Sequence, residues 1–218
     1  YAGSDSTTFS FFDGTYHPYY IGLPVSVGEK LAYINGGAVM VGDKEIYRGS
    51  TLKDSKNFPT VTTTVRAILG VGNDLAILIQ EQQLGKGMFY YVLFQGTQGP
   101  RFITIDRLTA IGGKPAYVGK GSTTTSYQVV HGTTVGKQYS LIDTDIFEIN
   151  GKPTYRAFIG QKSIIVQGTT EYGLDYGDYS GVGIPIGVGN SLVFLATKRE
   201  NAVWKSFFVV DGKTQTLL

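Results

Sequence analysis

The 218-residue sequence contains no cysteine and only two histidines. The missing thiols exclude disulfides, thiolate metal sites and a cysteine nucleophile. His17 and His131 stand in neither an H-x-x-x-H nor an H-E-x-x-H arrangement, and no G-x-S-x-G elbow occurs. His131 is read as a turn residue. We therefore predict no metal site, no cofactor and no catalytic residues.

Charge is also scarce. Charged residues make up 17% of the chain, below the roughly 25% usual for soluble domains, and the net charge is only +2. The 19 lysines and arginines form no cluster, so we expect no nucleic-acid partner. No apolar run reaches the roughly 18 residues of a membrane span. Low charge also weakens self-repulsion, which favours an assembling surface.

Glycine and aromatic residues are abundant instead, with 30 glycines, 15 tyrosines and 12 phenylalanines. This composition favours strands joined by tight turns. The pattern at 111–117, I-G-G-K-P-A-Y, returns 38 residues later as I-N-G-K-P-T-Y at 149–155. The pattern at 130–134, V-H-G-T-T, returns 36 residues later as V-Q-G-T-T. Two motifs that recur at nearly one period indicate a repeated structural unit.

Each unit divides into two hairpins, and a four-stranded unit of this size cannot bury both faces of its sheet alone. Stacking of successive sheets around an axis would bury them, so we predict an all-β β-propeller of about five four-stranded repeat units. A β-sandwich and a β-solenoid are the alternatives. The first hairpins begin at Pro24, Arg66, Arg107, Ile146 and Ile184, and the second hairpins at Ala38, Tyr90, Tyr127, Ser163 and Phe207.

A surplus hairpin of the second type, FSFFDGTYHPYY, precedes these units. We therefore divide the chain into an N-terminal segment, 1–23, and a five-unit propeller, 24–218. The surplus hairpin either packs on its own propeller or completes the sheets of a neighbouring subunit, which could build a filament. Its candidate assembly residues are Phe9, Phe11, Phe12, Tyr16, Tyr19 and Tyr20.

The segments GGKPAYVG, NGKPTYRAF and FFVVDGK resemble prokaryotic β-propeller repeats in which a G-K-x-A-Y-V strand alternates with a V-V-D-G-K turn. The resemblance covers residues 9–218 and is close only in the third, fourth and fifth units. The first two units depart from it, and residues 49–60 add a loop. The resemblance implies a propeller fold in a secreted or periplasmic setting, without a particular chemistry.

Two further candidate sites would indicate a function other than self-assembly. An acidic and aromatic run offers Tyr172, Asp175, Tyr176 and Asp178 as a weak ligand-binding set that could stack on a glycan. Alternatively, Asp106 and Asp145 could serve as the carboxylate pair of a glycoside hydrolase, with Asp143 or Glu148 as helpers. Solvated turn carboxylates are the simpler interpretation of these acidic residues.

We therefore predict a non-enzymatic extracellular structural or surface protein that associates with itself through strand exchange. A carbohydrate-binding or other ligand-binding propeller is the first alternative, and a propeller glycoside hydrolase is the second. The chain starts at Tyr1 within the small polar run YAGSDSTT, which favours an extracellular or cell-surface location.

Overall fold

The computed structural model describes residues 9–11, 16–18, 23–53, 59–121, 126–143, 145–173 and 182–215. These residues form strands, turns and loops without a helix, which confirms the prediction of an all-β fold. Within these ranges there is accordingly no helix long and apolar enough to cross a membrane. The chain divides into two compact units, Tyr1–Thr104 and Ile105–Leu218. The division predicted after residue 23 stays a prediction.

The first unit contains a two-stranded sheet and two larger antiparallel sheets. The two-stranded sheet, here the N-terminal hairpin, consists of β1 (Phe9–Phe11) and β2 (Tyr16–Pro18). The first sheet consists of β3 (Val25–Val27), β4 (Lys30–Asn35), β5 (Ala38–Val41) and β6 (Lys44–Arg48). The second sheet consists of β7 (Thr51–Lys53), β8 (Pro59–Val71), β9 (Asp74–Gln83), β10 (Gly87–Phe94) and β11 (Thr97–Gln98).

The second unit contains three antiparallel sheets. The third sheet consists of β12 (Thr104–Ile111), β13 (Lys114–Lys120), β14 (Tyr127–His131) and β15 (Thr134–Val135). The fourth sheet consists of β16 (Leu141–Ile142), β17 (Phe147–Ile149), β18 (Lys152–Ile159), β19 (Lys162–Gln167) and β20 (Thr170–Tyr172). The fifth sheet consists of β21 (Ile186–Val188), β22 (Ser191–Glu200), β23 (Val203–Val210) and β24 (Lys213–Gln215).

Each of the five predicted repeats therefore forms one sheet whose strands follow one another in chain order. In the fourth sheet, β16 and β17 pair with opposite ends of β18 and together act as one interrupted first strand. In the second sheet, the inserted segment adds β7, which pairs with β8. One sheet curls into an open half-barrel, and the sheets are not closed.

Tight turns join the strands where the sequence predicts them. Asn150 and Gly151 link β17 to β18 with φ values of 54° and 68°. Asp211 and Gly212 link β23 to β24 with φ values of 49° and 80°. Two successive positive φ values define the turn whose twist matches that of the flanking strands, and Asn, Asp and Gly tolerate it best. The turn chemistry therefore sets the register of these hairpins.

The core of the first unit lies between the first and second sheets. Ala32 and Ile34 of β4 pack with Ile77 and Ile79 of β9. The turns of the two first hairpins also meet, because the Gly28 amide donates to the Gly72 carbonyl at 3.1 Å. These two sheets therefore stack face to face, with the ends of their leading hairpins side by side.

The second unit has two core layers, one on each face of the fourth sheet. Ile164 packs towards the third sheet, whereas its neighbour Ile165 packs towards the fifth sheet beside Leu192 and Phe194. Both isoleucines are fully buried. Successive residues of a strand point to opposite faces, so a sheet covered on both sides needs a continuous apolar run. This explains the run Ile164 to Val166 in β19.

The N-terminal hairpin pairs Phe9 with Pro18, Ser10 with His17, and Phe11 with Tyr16. Phe11 and Tyr16 flank an Asp-Gly dipeptide in the sequence as Val209 and Thr214 do in β23 and β24. The hairpin thus shares the register of a second hairpin. Of the predicted assembly residues, Phe12, Tyr19 and Tyr20 lie outside the described residues.

Candidate functional site

A cavity of about 490 Å³ lies between the third and fourth sheets. The third sheet and the segment after it contribute Val129, Val135 and Tyr139, and the fourth sheet contributes Tyr155 and Glu171. The cavity therefore forms where the second hairpin of the third sheet meets β18 and β20 of the fourth sheet. Its volume falls within the range of small-molecule sites, roughly 300 to 1,000 Å³.

The polar end of the cavity is organised around the carboxylate of Glu171 on β20. The Tyr139 hydroxyl donates to Oε1 at 2.8 Å, and the Lys137 ammonium lies 3.0 Å from both carboxylate oxygens. The Glu171 side chain is only 16% exposed, whereas that of Lys137 is 58% exposed. The carboxylate is therefore largely buried between two partners, and its charge is balanced by a cation at the rim.

Two buried tyrosines form the inner wall. The rings of Tyr139 and Tyr155 meet edge to face, with centroids 6.1 Å apart and an interplanar angle of 75°. Burial raises the pKa of the Tyr139 phenol, and the nearby Tyr155 and Glu171 raise it further. Burial also raises the pKa of the Tyr155 phenol, against the effect of its hydrogen bond with Tyr139. Both phenols therefore stay protonated at neutral pH and keep their hydrogen-bonding protons.

His131 lines the cavity but has a partner in its own sheet. Its Nε2 lies 2.9 Å from the Ile111 carbonyl oxygen, which can only accept, so Nε2 donates. Gln167 occupies the same position in the fourth sheet, and its Nε2 donates to the Ile149 carbonyl at 3.3 Å. Both side chains tie a second hairpin to the first hairpin of the same sheet. His131 is the last residue of β14 and directly precedes the turn.

The ligand-binding set predicted from the acidic run has one described member. Tyr172 packs between the fourth and fifth sheets, with its ring centroid 6.3 Å from that of Phe194. Asp175, Tyr176 and Asp178 lie outside the described residues. Because neighbouring residues of β20 point to opposite faces, Glu171 reaches the cavity while Tyr172 does not.

The carboxylates considered for glycoside hydrolysis are mostly occupied by structural partners. Asp143 forms a two-pronged ion pair with Arg156, at 2.6 and 3.0 Å, and Glu148 accepts a hydrogen bond from the Gly112 amide at 3.2 Å. Asp145 lies 3.7 Å from Arg107 and is largely exposed, and Asp106 is exposed on β12. Among the described residues no group of three His, Asp or Glu side chains could hold a metal ion.

The fifth sheet presents a second feature of interest, an exposed apolar face. Leu192, Phe194 and Ala196 of β22 are buried against the fourth sheet, so the alternate residues point outwards. The outward residues include Leu195 and Phe208, which are cross-strand partners and remain 41% and 43% exposed. We call the following set the outer face of the fifth sheet: Ile186, Val188, Leu195, Trp204 and Phe208.

Comparison with protein-family models, curated proteins and solved structures finds no match for this chain. Function must therefore be argued from the sites themselves. Sequence reasoning did not single out Tyr139, Tyr155 or Lys137 as site residues. A partial signal exists, because Tyr155 and Tyr117 occupy the same repeat position and Glu171 begins the acidic run. Nothing local in the sequence indicates that Tyr139 and Glu171 meet.

Proposed function

We propose that this protein is a non-enzymatic structural β-propeller protein of the cell exterior or cell surface, which assembles with copies of itself. The observation that carries the proposal is the outer face of the fifth sheet. Large apolar side chains grouped on one face of a sheet mark an interaction surface. The low net charge of the chain, +2, opposes such association only weakly.

The propeller arrangement is supported by the way neighbouring sheets pack within each unit. The first and second sheets stack with their leading turns joined through Gly28 and Gly72. In the second unit, Gly112 approaches the Gly151 carbonyl, and Gly187 packs on Ile149. The ends of the leading hairpins thus adjoin in each pair of sheets, as blades do near the axis of a propeller.

We assign the N-terminal hairpin of a second copy as the occupant of the outer face. The N-terminal segment contributes six aromatic residues, Phe9, Phe11, Phe12, Tyr16, Tyr19 and Tyr20. In each of the five sheets, a second hairpin pairs with the strand before it, whereas β1 and β2 form a sheet of their own. Docking on another copy would therefore place these aromatic residues against the outer face of the fifth sheet.

A contact between the N-terminal hairpin of one copy and the fifth sheet of the next joins two different surfaces. Such a head-to-tail contact leaves one free surface at each end of the assembly. Unless the rotation between copies closes a ring, the product is a filament. The resemblance to secreted propeller repeats supports an extracellular setting for this assembly.

The proposal is tested by measuring particle mass and shape with light scattering and negative-stain electron microscopy over a concentration series. We expect the unmodified chain to form large oligomers or filaments. Leu195→Lys and Phe208→Lys should shift it to a 23.6 kDa monomer with an unchanged melting temperature. Leu84→Lys, at an exposed site in the first unit, is the matched control and should still assemble.

A monomer at every concentration would contradict the proposal. So would assembly that survives both lysine substitutions on the outer face.

A further inference from the structure

We infer that the cavity between the third and fourth sheets binds a small neutral carbohydrate of one or two sugar rings. This site is separate from the assembly surface, because it is built by β14, β15, β18 and β20 and not by the fifth sheet. It also differs from the ligand-binding set predicted from sequence. The inference rests on the shape, the charge and the hydrogen-bonding capacity of the cavity walls.

The charge of the cavity favours a neutral ligand. Lys137 and Glu171 neutralise each other at the polar end, with the ammonium 3.0 Å from both oxygens. A second anion would compete with Glu171 for Lys137, and a second cation would compete with Lys137 for Glu171. A neutral ligand gains hydrogen bonds from both groups without separating the pair.

The pair also retains unused hydrogen-bonding capacity. Lys137 offers three N–H donors and uses two on Glu171, which leaves one. The Glu171 carboxylate has about four acceptor positions and uses three, one for Tyr139 and two for Lys137, which leaves one. Adjacent hydroxyl groups on a sugar can accept from the ammonium and donate to the carboxylate, and hydrogen bonds to charged groups are the stronger kind.

The rest of the cavity supplies the apolar surface that a sugar ring also needs. Val129, Val135 and Pro153 line it together with the rings of Tyr139 and Tyr155. A pyranose presents C–H groups on its ring faces and hydroxyls at its edge, and this mixture matches an apolar wall with one polar end. A purely apolar ligand would leave Lys137 and Glu171 without new partners.

The experiment is isothermal titration of the full 218-residue chain with defined sugars. The probes are glucose, galactose, mannose, N-acetylglucosamine and their disaccharides, with glucuronic acid and glucosamine as anionic and cationic comparators. We expect at least one neutral sugar to bind saturably. The Glu171→Gln variant should weaken that binding by about tenfold or more, because it removes the charged acceptor.

A second variant guards against a folding defect in the first. Val135 lies at the rim and is 44% exposed, so Val135→Trp should fill the entrance without disturbing Tyr139 or Glu171. We expect it to abolish binding while the melting temperature stays unchanged. Tyr172→Phe is the control: Tyr172 follows Glu171 on β20 but points to the opposite face, so this variant should leave the sugar affinity within about twofold.

The inference is overturned if no neutral sugar binds, if only the charged comparators bind, or if neither cavity variant weakens binding. These outcomes are independent of self-assembly, which is tested on the fifth sheet. A monomeric chain that binds a neutral sugar would refute the assembly proposal and leave this one standing.

Discussion

Two ion pairs in this structure differ in burial, and burial determines how much each contributes to stability. Glu81 on β9 is buried, and the guanidinium of Arg101 donates to both its oxygens at 2.9 and 3.0 Å. Burial acts to raise the pKa of Glu81, but the hydrogen bonds from Arg101 and Gln83 outweigh it and hold the pKa below its ordinary value. Glu45 and Arg48 form a similar pair on the surface, where solvent screens the charges.

We expect Arg101→Met to destabilise the protein by about 2–3 kcal/mol at pH 7, because it leaves a buried carboxylate without its partner. The loss should shrink as the pH falls below about 4.3, the ordinary pKa of a glutamate. Because the pKa of Glu81 is lower in the folded state than in the unfolded state, the ionised carboxylate stabilises the fold at pH values above its unfolded-state pKa. This stabilisation is lost as the pH falls and Glu81 becomes protonated. Chemical denaturation at several pH values measures this.

Arg48→Met is the control at the exposed pair and should leave the melting temperature unchanged at every pH. A destabilisation by Arg101→Met that does not depend on pH would show that the guanidinium acts through packing on the Tyr91 ring, 5.9 Å away, and not through its charge.

At the scale of elements, the close approach of neighbouring sheets restricts which residues fit at the contact. Gly70 of β8 faces the Ser26 carbonyl of β3, and a Cβ at position 70 would overlap that oxygen. Gly183 also lies beside a strand, but a Cβ there would meet Leu195 at an ordinary 3.5 Å. Gly70 therefore permits the contact between the first and second sheets.

We expect Gly70→Ala to destabilise the first unit by about 2–3 kcal/mol, because the two backbones must move apart to fit a methyl group. Gly183→Ala is the matched control and should change stability by less than about 0.5 kcal/mol. Urea denaturation of both variants measures the difference. Equal stability of the two variants would mean that β3 and β8 do not pack as closely as described.

At the scale of the whole molecule, the N-terminal hairpin and the five larger sheets differ in the packing that stabilises them. The larger sheets bury their cores within each unit through side chains such as Val39, Ile79 and Ile164. In the part of the chain that the structure describes, the hairpin consists of β1 and β2, and a two-stranded hairpin by itself is at best marginally stable in water. The hairpin should therefore contribute to assembly more than to folding.

We expect deletion of residues 1–22 to leave a chain that folds with its melting temperature within a few degrees of the full chain but no longer assembles. Circular dichroism measures the first property, and light scattering the second. A scrambled sequence over the same residues, with unchanged composition, is the control for length and charge and should also fail to assemble. Continued polymerisation of the truncated chain would rule out assembly through the N-terminal hairpin.

Much of the fold can be predicted from the sequence because the signals are local. Dipeptides such as Asn150-Gly151 select one turn, and the alternation around them sets the strand faces. The period near 40 residues then divides the chain into the sheets that the structure describes. The all-β fold and the division into five sheets follow from these local rules, without knowledge of any long-range contact.

Tertiary structure alone decided which faces meet and what lies between them. Glu171 and Tyr172 are neighbours in one acidic and aromatic run, yet one lines the cavity and the other packs beside Phe194. The cavity itself depends on Tyr139 reaching Glu171 across 32 residues. Local patterns fix the side of a strand to which a residue points, but only the packing of one sheet on the next determines its neighbours.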